Sequence, residues 1–448
     1  MQPARGKGTQ ALRALVYDAR GGAAVPRLNP CELEIELLCR GARIDSSCTL
    51  QRDARGFHRI RAGLGSGLEL VIPGDLKDVW CNVPVEEGFV GSTPLVLRKD
   101  GGQYLVVDER DRHEYRVWLP PEPAWYGRTT SRGTPMTAIG VLQGTYLGVY
   151  ISETCRFWDP GNDRHCKFCT SGLNVGKAEA LRKSVEDVAE VALAAKQGSG
   201  VTFVHFNAGY QREDRPDATA VHGLNLAAPY VKAIREQVGG FIGVQVAPVL
   251  KRDHWKYDWL VDLGTDHFSF CYEFHNPSYF ERYCPGKCGS LGQKAFFEAM
   301  EYTSAKLGKG AVSGEIIAGV EPIEDTLAAI DYITSVGAFP TVCIFRPLKG
   351  SLMEDFPSPQ PDDMKRVFAH LWEAMVRHGV PSDVIPNIQV SLIVNPGDSA
   401  YLGTRNVAFR LYRAKMALLR TVAKPYFARK MKPRRVAASA TEPPPPPQ

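Results

Sequence analysis

Three cysteines stand in the pattern Cys155-x10-Cys166-x2-Cys169, within the segment CRFWDPGNDRHCKFC. A Cys-x-x-Cys pair lets two thiolates converge on one metal centre from a single tight turn. Cys155 returns to that pair across a polar Asp-Pro-Gly-Asn loop. Having three thiols rather than four matters chemically. A [4Fe–4S] cluster held by three thiolates keeps one iron open for a non-protein ligand, whereas four thiolates close it. A zinc ion in a Cys3His set with His165 is one alternative, but adjacent His165 and Cys166 reach one tetrahedral ion awkwardly. Burial of three unliganded thiols is the other, and the loop is polar for that. The cluster suits the segment best.

The elements around these cysteines follow from hydrophobic patterning. Apolar strand-like runs occur at Tyr146–Ile151, Val201–Phe206, Phe241–Val246, His267–Tyr272, Val312–Ala318 and Phe339–Phe345, with helical patterns between them. Ser184 and Asp187 open one helix like a capping box, and Val185, Val188, Ala189, Ala192 and Ala195 give it an apolar face that Gly198 ends. A second helix, Ile323–Val336, is closed by Gly337. Six such units predict an α/β fold, a partial (β/α)6 parallel barrel spanning 141–400, with its chemistry at the C-terminal strand ends. The cysteines follow the first of these strands.

Residues 1–140 read as a β-rich N-terminal domain. At Cys31–Cys39 apolar positions alternate with Glu32, Glu34 and Glu36, the period of a half-buried strand. Gly67–Ile72 and Gln103–Val107 are further strand candidates. Residues 401–435 form a basic, helical C-terminal extension. Residues 436–448 are a Pro-rich tail whose composition predicts disorder.

The barrel segment, from Tyr146 to Asp355, resembles the radical S-adenosylmethionine superfamily and, within it, the biotin-synthase-like branch. In that family a three-cysteine cluster follows strand one and the last spacer residue is aromatic, as Phe168 is here. The first spacer is ten residues instead of the common three. Asn207-Ala208-Gly209 occupy the place of a Gly-Gly-Glu-like element that binds the methionine amine, without its Glu. Glu273 ends a strand where the family has a carboxylate that contacts the bound S-adenosylmethionine. Ser313 to Glu321 is similar to a Ser-Gly-x-Ile-x-Gly motif that supports adenine, which singles out Ile317 and Gly319. Arg346 stands where the methionine carboxylate or the substrate would be paired, a rim ion pair being its structural alternative.

The resemblance implies a [4Fe–4S] cluster and S-adenosyl-L-methionine as cofactors. It further implies reductive cleavage to a 5′-deoxyadenosyl radical, and hydrogen abstraction from a small-molecule substrate. A reductase, or a flavodoxin- or ferredoxin-type donor, would supply the electron. Sulfur-inserting relatives of the biotin- and lipoyl-synthase kind need an auxiliary cluster, for which Cys271, Cys284 and Cys288 are the candidates. Cys31, Cys39 and Cys48 are a weaker set, because eight strand residues separate the first two by about 26 Å.

Composition sets the remaining bounds. Hydrophobic residues make up 44% and charged residues 23%, as in an ordinary globular protein. No apolar run is long enough to span a bilayer and the opening segment has no signal-like core, so a cytoplasmic protein is expected. Eleven cysteines, an odd number, do not suggest a disulfide framework. Residues 405–435 hold eleven Lys and Arg and no acid, so the basicity belongs to the extension and a nucleic-acid role for the whole chain is not expected. There Val407, Leu411, Ala414 and Leu418 form an apolar stripe opposite Arg410, Arg413, Arg420 and Lys424, expected to pack on its own domain. The competing readings are a zinc-binding nucleic-acid module and a zinc hydrolase barrel; the strand ends offer no His or carboxylate set for the latter.

Overall fold

The computed structural model describes residues 28–53, 67–158, 163–211 and 223–437. The first element corrects the sequence expectation: Cys31–Cys39 is part of helix α1, Pro30–Arg40, not a strand. Asn29 accepts hydrogen bonds from the Cys31 and Glu32 amides, Glu32 accepts from the Asn29 amide, and Pro30 holds the first helical position. The helix is enclosed on nearly every side, Glu34 and Glu36 included. A helix with no polar face loses its 3.6-residue signature, which leaves the chance alternation of three glutamates to imitate a strand. Burial pushes the Glu34 carboxyl well above its ordinary range. In helical geometry Cys31 and Cys39 lie about 12 Å apart, not 26.

Two small sheets follow. In chain order the strands are β1 Arg43–Ile44, β2 Leu68–Ile72, β3 Val79–Val83, β4 Leu95–Asp100, β5 Gln103–Asp108 and β6 His113–Val117. Strands β2 and β3 form an antiparallel ribbon, and the other four make a sheet of order β1-β4-β5-β6.

The third sheet carries the site. It contains β7 Val141–Gln143, β8 Tyr146–Tyr150, β9 Phe203–Asn207, β10 Phe241–Gln245, β11 His267–Glu273, β12 Val312–Ala318 and β13 Phe339–Ile344, in the order β13-β12-β11-β10-β9-β8-β7. From β8 to β13 every pairing is parallel. The β7–β8 hairpin adds an antiparallel edge strand that the expected six-unit layout omits. Parallel neighbours require crossovers, supplied by α2 Val185–Ser199, α3 Gly223–Ala233, α4 Trp255–Leu263, a run of α5 Pro277–Tyr283, α6 Pro285–Ser290 and α7 Gly292–Leu307, then α8 Ile323–Ser335. Helix α2 opens with Ser184 accepting from the Asp187 amide and ends at left-handed Gly200, two residues beyond the expected Gly198. Register sets Tyr150 beside Asn207 and Asn207 beside Gln245, so the C-terminal strand ends form one rim.

The chain closes with α9 Pro361–His378, α10 Val407–Val422 and α11 Lys424–Lys430. The face by which α10 packs also differs from expectation. Phe409, Tyr412 and Met416 are buried, with the first two rings against Trp372. The stripe Val407, Leu411, Leu418 instead faces solvent, because two aromatic side chains offer more burial than the aliphatic face. Most of the Pro-rich tail, residues 438–448, lies outside the described residues. No helix among the described residues is long and apolar enough to cross a membrane.

Candidate metal and cofactor site

Cys155 enters the site on the loop after β8, and backbone hydrogen bonds fasten that loop to the end of β9. The Ile151 amide donates to the Asn207 carbonyl (2.8 Å) and the Arg156 amide to the Tyr210 carbonyl (2.8 Å). The Gly209 amide donates to Ser152 Oγ (2.9 Å). At Gly209 the approach is too close for a side chain: a Cβ there would lie 2.7 Å from Cys155 Cβ and 2.4 Å from Tyr150 Oη. Cys166 and Cys169 sit in one tight turn, the Cys169 amide donating to the Cys166 carbonyl (3.0 Å). That turn is held to the α5–α6 junction by the Lys167 amide on the Tyr283 carbonyl (2.9 Å) and the Gly286 amide on the Arg164 carbonyl (2.8 Å).

The three thiols line one cavity but differ electrostatically. Burial pushes the Cys155 thiol up to about 12 and also raises Cys169. Cys169 Sγ donates to Ser171 Oγ (3.2 Å) and accepts from the Ser171 amide (3.4 Å), the latter bond favouring a thiolate. Cys166 is the exception. A hydrogen bond from the Cys284 thiol, reinforced by the nearby Lys287 charge, outweighs burial and draws it below its ordinary range.

Among the described residues no three His, Cys, Asp or Glu side chains gather as a single metal ion requires, where every donor must lie about 2.0–2.3 Å from one point. His165 lines the same cavity and stacks on Trp158, ring centroids 4.8 Å apart. Three thiols around one cavity, with a hydrogen bond to sulfur and an aromatic surround of Phe157, Trp158 and Phe168, suit a cluster.

The same cavity brings together Asn207, Ala208, Gly209, Glu273, Ile317 and Arg346. Gly319 is not among its lining residues. It has φ 95° and packs on Pro359, whose Cγ would be 2.3 Å from an added Cβ, so its glycine requirement has a local steric cause. Asn207 donates through Nδ2 to Gln245 Oε1, while its Oδ1 is buried without a hydrogen-bond partner in this structure. A buried acceptor left open in this way fits an ammonium group in the cavity. Arg346 donates to the Asn82 carbonyl (2.9 Å) and stands 3.8 Å from Glu87, which ties it to the N-terminal segment.

Two features escaped sequence reasoning. Lys287, at the N-terminal end of α6, is largely out of solvent and pairs with Glu273 Oε1 while also donating to the Cys271 carbonyl (2.9 Å). Burial opposes its charge, but Glu273 and the thiols of Cys166, Cys284 and Cys271 hold its pKa well above the ordinary lysine value. Glu273 itself has φ 68°, at an irregularity where the β11–β12 register shifts. The second feature is a polar floor: Gln245 Nε2 donates to Glu315 (3.0 Å) and Ser269 Oγ does so at 3.4 Å. Burial raises the Glu315 carboxyl, with Glu273 adding to the shift. Cys271 joins that floor through Gln245, Cys284 turns to Cys166, and the Cys288 amide caps the Cys284 carbonyl. Cys271 and Cys284 both stand near the Lys287 ammonium. All eleven cysteines are free.

No protein-family model matches the chain. A curated relative, the bacteriochlorophyllide c C-7(1)-hydroxylase of Chlorobaculum limnaeum, is 25% identical over 253 residues, 53% of this chain. The chain covers 62% of that relative's length. Among solved structures, SuiB of Streptococcus suis bound to S-adenosylmethionine aligns at a TM-score of 0.37 and 11% identity over 53% of this chain and 49% of its own. The radical S-adenosylmethionine methyltransferase TsrM of Kitasatospora setae, with cobalamin and a [4Fe-4S] cluster bound, aligns at 0.34 and 11% over 79% and 73%.

Proposed function

We propose that this chain is a radical S-adenosylmethionine enzyme, with residues 141–400 forming a partial (β/α)6 barrel that holds the reaction at its C-terminal rim. The observation that carries the reading is the union, in one cavity, of Cys155, Cys166 and Cys169 with the open acceptor of Asn207 and the buried Glu273. The three thiolates would hold a [4Fe–4S] cluster, which with bound S-adenosylmethionine supplies a 5′-deoxyadenosyl radical for abstracting hydrogen from a substrate. The protein residues bind and orient. Asn207 Oδ1 accepts from the methionine ammonium, and the Ala208–Gly209 backbone leaves room for it. Glu273, held in place by Lys287, accepts from the cofactor's ribose or amine. Ile317 packs on the adenine. The guanidinium of Arg346 is already engaged by Asn82 and Glu87, so we read it as a tie that closes the rim. The β-rich N-terminal segment then helps to exclude water.

We read the substrate as a small molecule whose C–H bond is attacked, in keeping with a relative that is named a hydroxylase. The electron would come from a flavodoxin- or ferredoxin-type donor. Sulfur insertion is the alternative reading, and it would need Cys271, Cys284 and Cys288 to hold an auxiliary cluster.

Anaerobic reconstitution with iron and sulfide, followed by S-adenosylmethionine and dithionite, tests the reading. The expected result is about four irons per chain and release of 5′-deoxyadenosine. Replacing Cys155, Cys166 or Cys169 by Ala should remove most iron and all cleavage. A colourless protein that binds zinc instead would overturn the assignment, and about eight irons per chain would restore the sulfur-inserting alternative.

A further inference from the structure

Helix α10 has two apolar faces, and the body of the protein covers one of them. Phe409, Tyr412 and Met416 are buried beneath it. On the opposite side Val407, Leu411, Leu418 and Val422 are 71%, 66%, 63% and 68% exposed. Their spacing of four, seven and four residues keeps them on one stripe about 16 residues long. Four of the five large hydrophobic side chains that are more than 60% exposed among the described residues lie on this stripe. That clustering separates it from the singly scattered apolar residues of an ordinary surface.

The charge around the stripe identifies its partner. Residues 405–435 contain eleven Lys and Arg and no Asp or Glu. Arg410 precedes Leu411 on one side of the stripe and Lys415, four residues after Leu411, lies on the other. Arg405 faces Asp75 and Lys430 is paired with Asp266, but Arg410 and Lys415, on the two sides of the stripe, are exposed. A second copy of the chain meeting this face would set these cations against their own images. A nucleic acid would gain from the cations, but its phosphates gain nothing from four aliphatic side chains, and base stacking asks for aromatic rings. Aliphatic residues flanked by Lys and Arg are what an anionic lipid bilayer accepts at its interface. The stripe enters the acyl boundary and the cations meet headgroup phosphates.

We propose that α10 docks the folded enzyme on the surface of an anionic membrane, lying in the interface without crossing it. Helix α11 continues the surface, with Tyr426 45% exposed and Phe427 buried against Phe241. The docking helix is thereby fixed to the sheet that carries the proposed reaction. The inference rests on the surface alone and stands or falls independently of the cysteine chemistry.

Co-sedimentation of the full chain with extruded vesicles tests it. One vesicle set is phosphatidylcholine only, and the other contains about one-third phosphatidylglycerol. The chain should partition about tenfold or more in favour of the anionic vesicles, with binding that falls as salt rises. The variant Val407→Asn, Leu411→Asn, Leu418→Asn, Val422→Asn should lose about tenfold in partition at an unchanged melting temperature, since none of the four packs on the body. Leu411→Glu alone, a milder change, should lower partition in the same direction. Arg410→Gln with Lys415→Gln should erase the preference for anionic lipid. Absence of vesicle binding, or equal binding to both vesicle sets, overturns the proposal. So does a wild-type dimer in light scattering that the fourfold Asn variant abolishes, which would assign the stripe to a second copy. RNA retention that survives the Asn substitutions, without vesicle binding, would assign the cations to nucleic acid.

Discussion

Lys287 and Glu273 form an ion pair in the wall of the cavity, and each depends on the other. Both side chains are largely out of solvent, so removing Lys287 leaves a buried carboxylate without its cation, a change that costs about 3–5 kcal/mol. Lys287→Met should therefore lower the melting temperature markedly, and Glu273→Gln added to it should recover part of the loss. Additive losses in the double variant would show that the two groups do not act as a pair. Glu273→Gln alone keeps the shape but weakens charge-assisted bonds worth about 1.5–3 kcal/mol. S-adenosylmethionine should then bind roughly ten- to a hundredfold more weakly at unchanged iron content, measured by equilibrium binding to the reconstituted protein. Gly209 supplies a steric counterpart. The Cβ of Gly209→Ala would press on Cys155, an overpacking of about 1–3 kcal/mol, and should reduce iron loading while a variant at Gly101, where an added Cβ meets nothing within 4 Å, should not. Equal iron in both would separate Gly209 from the cysteine loop. Of this site, the cysteines, Asn207 and Glu273 are legible because they sit at strand ends in a regular order. Lys287 is not, because it reaches Glu273 from a helix that no strand pattern predicts, and the Cys284 contact with Cys166 arrives by the same route.

The loop that follows Glu273 is held by an acid from the next strand's end. Glu321 accepts from the His275 amide (3.2 Å) and the Asn276 amide (2.9 Å). Burial pushes its carboxyl up to about 7, against the lowering effect of those two bonds. The folded chain thus keeps a proton that the unfolded chain releases near its ordinary value of 4.5. The contribution to stability is complete below about pH 4.5 and is lost as pH rises through about 7, up to about 3 kcal/mol. Melting temperatures of the wild type and Glu321→Gln, followed from about pH 5 to pH 8, should diverge, with the wild type alone losing stability over that window from this source. Parallel curves would mean that Glu321 titrates at its ordinary value. At this scale the strands of the large sheet were legible, because apolar runs bounded by Gly and Pro leave little else for them to be. Helix α1 was misread for the opposite reason. Its buried glutamates hide the helical period, and the informative signal was the Asn29-Pro30-x-Glu32 cap that precedes the apolar run.

The chain reads as separate β-rich and barrel segments, yet one hydrophobic core runs from Cys31 in α1 through the large sheet to Tyr401. Composition shifts mark the change of element type near residue 140, but they do not report the packing between the two parts. Polar ties join them as well. Glu69 on β2 accepts from the Gly144 amide in the β7–β8 turn (2.6 Å) and from Ser391 Oγ (2.6 Å). Tyr401 Oη donates to the Lys77 carbonyl (2.8 Å) while accepting from the Leu76 amide (2.9 Å), and Arg346 reaches across to Asn82. Segments that share a core and buried hydrogen bonds lose both together when either unfolds, so the expected unfolding is a single cooperative transition. Far-UV circular dichroism and tryptophan fluorescence, the latter reporting on Trp80 and Trp118 as well as Trp259 and Trp372, should give coincident melting curves. Glu69→Ala leaves the Gly144 amide and the Ser391 hydroxyl buried without their acceptor, at a cost of about 1–3 kcal/mol for each unsatisfied group. If the parts are coupled, that variant should shift the whole transition to lower temperature with the two probes still superimposed. An early fluorescence transition with the circular dichroism unmoved would mean instead that the N-terminal segment folds as a unit of its own, docked on the barrel rather than built into it.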